Sequence, residues 1–289
     1  MGLSAKFNLV ILAAFAIGFL VAAVVLDRVF IESAREQVLQ NARIMMTAVN
    51  AIRSYTDQEL VPLLPKEVDG KFVAENVPAF AAQKNFKAVQ AAFAGYTYRE
   101  PALNPTNLSD RAQDWEADVI SLFRNEPDRR EVVVERDTPV GPTLNLARPV
   151  SVDGEACLTC HSTSEAAPTA LTRTYGTANG FGWKLNETVG AQILSVPMAV
   201  PLKLARDAYF TFMGVLVAIF AIVFVILNLL LHYLVIVPVQ RVSKAADAIS
   251  MGEENVEVYV KAGKDEISSL SVSFARMQES LKHAMEMIK

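Results

Sequence analysis

Residues 156 to 162 read Ala-Cys-Leu-Thr-Cys-His-Ser and hold both cysteines of the chain and one of its three histidines. Two thiols with a two-residue spacer and a histidine directly after the second form the attachment pattern of c-type haem. In that chemistry Cys157 and Cys160 add to the two vinyl groups as thioethers, and His161 reaches the iron as proximal ligand. Two other chemistries use a CxxC pair. A zinc site needs two further ligands, yet the other histidines, His232 and His283, lie in or beyond a second apolar segment. A thioredoxin-like redox pair belongs at a helix start after a core strand, whereas this motif is expected in a loop after the turn signal Asp153-Gly154. The motif therefore points to one covalent haem c. With both cysteines inside it, a disulfide framework is excluded.

The elements that must carry this motif begin with two apolar runs. Hydrophobic residues make up 52% of the 289 and mean hydropathy is +0.27. The excess is concentrated in residues 7–26 (FNLVILAAFAIGFLVAAVVL) and 209–237 (YFTFMGVLVAIFAIVFVILNLLLHYLVIV). Each is long enough for the roughly 20 residues that cross a bilayer core. The first run also exceeds the apolar core of about 7–15 residues of a signal peptide, so it reads as an uncleaved anchor. Lys6 before the first run, and Arg241 and Lys244 after the second, put both ends of the chain in the cytoplasm. Lys203 and Arg206 pull weakly the other way. The haem motif decides the matter, since covalent haem attachment in bacteria takes place outside the inner membrane. Residues 1–6 and 238–289 are then expected to be cytoplasmic, with residues 28–207 a periplasmic domain. The net charge of −4, with no basic stripe or block, excludes a nucleic-acid binder.

Within 28–207 the pattern is helical first and β later. Arg28 to about Thr56 has neither proline nor glycine, and carries Ile31, Val38, Ile44, Met45 and Val49. It predicts a long helix continuing out of the first span. A second helix is expected from about Ala79 to Phe93. A third, capped at Ser109-Asp110, should present Trp115, Val119, Ile120 and Phe123 on one face. Strands are expected at 131–135, 143–152 and 190–198, separated by Pro139-Gly141-Pro142 and Asp153-Gly154. Helices followed by an antiparallel sheet predict an α+β domain.

After the second span, Val242, Ala245 and Ile249 recur at helical spacing up to Gly252, and a connector carries Val256, Val258 and Val260. Asp265-Glu266-Ile267 then opens a helix whose Ile267, Leu270, Phe274, Met277 and Leu281 follow spacings of 3, 4, 3 and 4. That is a coiled-coil seam over two heptads. Proline just past a span, a helix, a glycine, a valine-bearing connector and a D-E-I heptad helix together resemble a HAMP domain. The resemblance implies a homodimer built as a parallel four-helix coiled coil.

A second resemblance rests on YREPALNPTN (98–107), Trp115-Glu116, CLTCH (157–161) and YGTANGFGWKL (175–185). These stretches resemble the c-type-haem, PAS-like sensor family long catalogued as a domain of unknown function, often fused to HAMP segments and to kinase or cyclase outputs. The likeness covers about residues 30 to 205 and implies a single covalent haem in an external PAS-like sensor domain.

The ligand opposite His161 stays open among Met45, Met46, Met198, a tyrosine such as Tyr55, a lysine, or an open position; no third cysteine exists to supply a thiolate. Methionine there would raise the potential, while Met46 as a simple core filler is the commoner role for that residue type. Arg53, two turns beyond Met46, is a candidate partner for a haem propionate, as are Arg99 and Arg148. Tyr175, Phe181 and Trp183 are candidate haem walls. The polar His232 near the end of the second span reads as an interfacial residue.

The chain stops at Lys289, so no kinase, cyclase or receptor output fits after the HAMP segment, and no catalysis is expected. Two functions follow from this reading. One is a dimeric transmembrane haem sensor of redox state, nitric oxide, oxygen or carbon monoxide, signalling through a separately encoded output partner. The other is a membrane-anchored monohaem cytochrome that transfers electrons. The heptad tail favours the sensor, because an electron carrier needs an anchor but no relay.

Overall fold

The computed structural model describes residues 2–253, 256–257 and 259–288. They divide into two compact units, one of residues 29–207 and one of residues 1–28 with 208–289.

In the first unit the chain runs through the second half of α1 (Leu3–Tyr55) and a π-helical turn (Thr56–Leu60). It continues through a small hairpin of β1 (Glu67–Val68) and β2 (Lys71–Phe72), then α2 (Pro78–Ala92) and β3 (Thr97–Arg99). Next come α3 (Asp114–Asn125), β4 (Val132–Thr138), β5 (Gly141–Ser151), two short helices α4 (Glu155–His161) and α5 (Thr169–Tyr175), and β6 (Thr188–Pro197). The main sheet has the order β3-β6-β5-β4 and every neighbouring pair is antiparallel.

The two central strands are buried on both faces, and the period of two decides which side chain goes where. Leu144 pairs with Val196 and Leu146 with Leu194. All four enter one core with Val38, Ala42, Met46 and Val49 of α1, Ala82 and Phe86 of α2, and Tyr98 of β3. Ala147 pairs with Ile193 on the opposite face and enters a second core with Ala191 and with Val119, Ile120 and Phe123 of α3. Fully burying a residue such as Ile120 or Phe123 contributes about 2 kcal/mol each. The sheet is thus a layer between α1 with α2 on one side and α3 on the other; the mixed α+β class expected from sequence is present, but the order is not strictly helices then strands, since β3 precedes α3 and α4 and α5 lie between β5 and β6.

Several details differ from the sequence reading. Gln113, not Ser109-Asp110, caps α3, because its side chain and that of Glu116 close a reciprocal capping box. Ser109 belongs instead to a 3₁₀ turn capped by Asn107. On α1 the buried stripe is Val38, Ala42, Met46 and Val49, while Ile44 stays 62% exposed. β3 and the β1-β2 hairpin are too short to leave a periodic signal.

The second unit contains the apolar ends of α1 and of α6 (Ala199–Leu231), a π-helical turn (His232–Ile236), α7 (Val237–Ser250) and α8 (Glu266–Ile288). Both long helices meet the length and composition needed to cross a membrane, and their most apolar windows are 0% buried by the rest of the chain. Phe15 stacks on Phe220 at 4.8 Å. α7 has proline in its first turn, and the helix ends before Gly252 at φ +88°, a C-terminal stop of the expected kind. Asp265 caps α8 by accepting the Ser268 backbone N–H at 2.7 Å. Of the valine connector, Val258 lies outside the described residues. α7 buries Pro238, Val242 and Ala245, and α8 buries Ser268 and Ser271, whereas the seam residues Leu270, Met277 and Leu281 are 49%, 56% and 49% exposed.

Candidate functional site

The CxxCH motif is helical, which corrects the expected loop. β5 ends at Ser151, Val152 pairs through its backbone with Asn186 and Glu187, and Gly154 in extended conformation lets α4 start at Glu155. Cys157 and Cys160, three residues apart on one turn, share a helix face, and His161 closes the helix. The helix start after a strand removes the positional argument against a thioredoxin-like pair. Burial pushes the Cys160 thiol above its ordinary value, with Lys66 opposing and Cys157 reinforcing. Both thiols are free and half-buried. Among the described residues no group of three or more His, Cys, Asp or Glu side chains gathers around the motif.

His161 is held on three sides. Its Nδ1 lies 2.7 Å from the Gly180 carbonyl oxygen. That oxygen only accepts, so Nδ1 carries the proton and Nε2 keeps a lone pair. Trp183 stacks on the imidazole with ring centroids 3.7 Å apart and planes 7° from parallel. The backbone N–H groups of Gly182 and Trp183 donate to the carbonyls of Ser162 and His161 at 2.8 and 3.2 Å, tying residues 180–183 alongside the end of α4. Burial lowers the His161 pKa, with the Gly180 bond opposing, a shift toward the neutral ring that a ligand needs. Two free thiols on one turn beside a neutral imidazole with a fixed tautomer and an available Nε2 fit the donor set of a covalent haem.

Gly180 itself is clamped. Its N–H donates to Asn104 Oδ1 at 3.2 Å, and Asn104 Nδ2 donates to the Phe181 carbonyl at 3.3 Å. Gly180 has φ +84°, and a Cβ there would fall 2.8 Å from Thr106 Cα, so only glycine fits. The Thr106 hydroxyl lies 3.5 Å from His161 Nδ1, too far for a good bond.

The other residues singled out from sequence have different fates. Tyr175 ends α5 and meets Phe72 edge-on at 6.1 Å. The guanidinium of Arg53 is engaged by the Glu100 carboxylate, whose Oε1 accepts the Tyr98 hydroxyl at 2.7 Å. Arg99 pairs with Glu116 at 3.2 Å and Arg148 with Glu131 at 3.0 Å. All three arginines offered for a propionate therefore already serve carboxylates of the fold. Burial opposes the Arg53 charge most strongly, but Glu100 and Tyr98 together outweigh it and hold the guanidinium pKa above its ordinary value. Met46 is 0% exposed among the apolar residues of the first core, and Met198 shares that core.

Sequence reasoning missed Asn104, Gly180 and Glu100 as partners. Only Gly180 and Gly182, spaced by one residue in NGFGW, gave a signal of a tight turn beside a functional segment.

The Tll0287-like family model matches residues 31–197, and the HAMP domain model matches residues 230–283. Among solved structures the chain is similar to the cyanobacterial heme-protein Tll0287 at 15% identity, over 56% of this chain and 95% of that one, with a TM-score of 0.44. No curated protein matches. Because the first model spans more than half of the chain, the protein belongs to the Tll0287-like family, its Tll0287-like domain followed by a HAMP domain.

Proposed function

We propose that the chain is a dimeric transmembrane haem-c sensor, which detects redox state or a diatomic gas in the bacterial periplasm and relays it through its HAMP helices to a separate output protein. The observation that carries this reading is the fixed tautomer of His161, with Nε2 left free one residue beyond two free thiols, in a chain that also holds a HAMP domain. Cys157 and Cys160 would hold the haem as thioethers and His161 would be its proximal ligand. When bound, the haem would supply a one-electron centre.

The chain's own residues do the rest. Gly180 keeps the proton on Nδ1, Trp183 covers one imidazole face, and α4 fixes the spacing of the thiols. Residues 7–26 and 209–237 would cross the inner membrane, with 28–207 outside and 1–6 and 238–289 in the cytoplasm. A homodimer is supported by the α8 seam, whose Leu270, Met277 and Leu281 stay about half exposed among the described residues. Such a relay works only if two helix packings lie within a few kcal/mol and the state of the sensor domain favours one.

The test is to express the full chain with a c-type maturation system and stain a denaturing gel for haem. The wild type should keep covalent haem, Cys157→Ala and Cys160→Ala should each lose most of it, and a wild type without stain overturns the reading. Optical and resonance Raman spectra of both oxidation states, with and without nitric oxide and carbon monoxide, then separate gas from redox sensing.

A further inference from the structure

We propose that Asn104 and Trp183 are positioning residues for His161, acting together to set the donor strength and the ring plane of the proximal imidazole. The inference rests on the haem reading above and extends it from the ligand to the groups that tune it.

Three observations carry it. The first is the chain of contacts from Asn104 through Gly180 to His161. An asparagine amide matches a backbone N–H and a neighbouring carbonyl at once, and Asn104 does this at Gly180 N–H and Phe181 O. The second is the short His161 Nδ1–H bond to the Gly180 carbonyl, whose direction depends on where the 180–183 segment is held. The third is the near-parallel stack of Trp183 on the same imidazole, which opposes rotation about the ring's attachment. The carbonyl fixes the tautomer and Trp183 the plane, so the two constraints are complementary.

The chemical consequence has a sign. A proton shared from Nδ1 toward a carbonyl makes the imidazole a stronger donor through Nε2, and a stronger donor favours the ferric over the ferrous iron. Losing the clamp should weaken that bond and raise the reduction potential. Second-shell partners of this kind change site properties by about tenfold or more. A tenfold change in a one-electron equilibrium corresponds to about 59 mV.

The experiment is a spectroelectrochemical titration of the full-length holoprotein, comparing wild type with Asn104→Leu, Trp183→Leu and Trp183→Phe at equal covalent haem content. Asn104→Leu keeps the volume but removes both hydrogen bonds, and its midpoint should move positive by about 59 mV. Trp183→Leu should also move it positive, and Trp183→Phe, which can still stack, should return it toward the wild type. Circular dichroism melts identify any variant that fails to fold. Either leucine variant decides by itself, since each removes a different constraint. Unchanged midpoints in a folded leucine variant with full haem content overturn the proposal while leaving the haem reading intact. Absence of covalent haem in the wild type overturns the haem reading instead.

Discussion

At the scale of single residues, the buried ionic groups of the first unit bind one another. Glu100 accepts from Arg53 and from Tyr98, in a region where Gln192 Nε2 also donates to Asn50 Oδ1 at 2.7 Å, so the end of α1 is joined to β3 and β6 by polar contacts. Glu100→Gln leaves the Arg53 charge without its counter-ion, and breaking a buried pair costs about 3 kcal/mol. Urea denaturation of the holoprotein should show a midpoint lowered accordingly; an unchanged midpoint would mean that solvent already neutralises Arg53. Tyr98 makes a second, pH-dependent prediction. Burial first, and the Glu100 charge second, push its pKa well above the ordinary 10.0. The folded state then keeps a proton that the unfolded state loses, so the Tyr98 contribution is complete below pH 10 and declines as pH rises beyond it. Stability measured between pH 9 and pH 11 should fall less steeply in Tyr98→Phe than in the wild type.

At the scale of elements, periodic helices were legible and short elements were not. α1, α2, α3 and α8 each show an apolar stripe that hydrophobic burial alone can read. α4 has seven residues, too few for a stripe, and its chemistry drew the eye away from its conformation. β3 is defined by three residues whose partners lie almost a hundred positions later, Tyr98 against Leu194. α8 offers a direct test of a local signal. Asp265 accepts from Ser268 and from Lys261 Nζ at 2.5 Å, and these bonds hold its carboxyl well below the ordinary value. Its capping is therefore present above pH 3.8, the ordinary value, and is lost as pH falls below that. Asp265→Ala should speed hydrogen exchange at the Ser268 and Ser269 amides at neutral pH. Equal exchange in both proteins would show that the cap adds nothing to α8.

At the scale of the whole molecule, the proposal of a dimer predicts which side chains of α8 face a second copy. Ser271 is fully buried within the chain and Leu270 is half-exposed. Oxidative cross-linking in native membranes should therefore join Leu270→Cys chains into disulfide dimers far more readily than Ser271→Cys chains. If reduction of the haem also changes the Leu270→Cys rate, the seam responds to the Tll0287-like domain; equal rates in both oxidation states count against the relay.

What the sequence determined by itself was everything carried by neighbours within one turn or one heptad. That covers the thiols and histidine of CxxCH, the two apolar runs and the HAMP heptads. Short-range patterns suffice there because haem attachment, bilayer crossing and helix pairing are all read from residues a few positions apart. The tertiary structure decided who holds the imidazole and who neutralises the arginines. Asn104 reaches Gly180 across 76 positions and Arg53 reaches Glu100 across 47. Hydrogen bonds and ion pairs act over about 3 Å, so such partners exist only once the sheet has brought their segments together, and no periodicity along the chain records them.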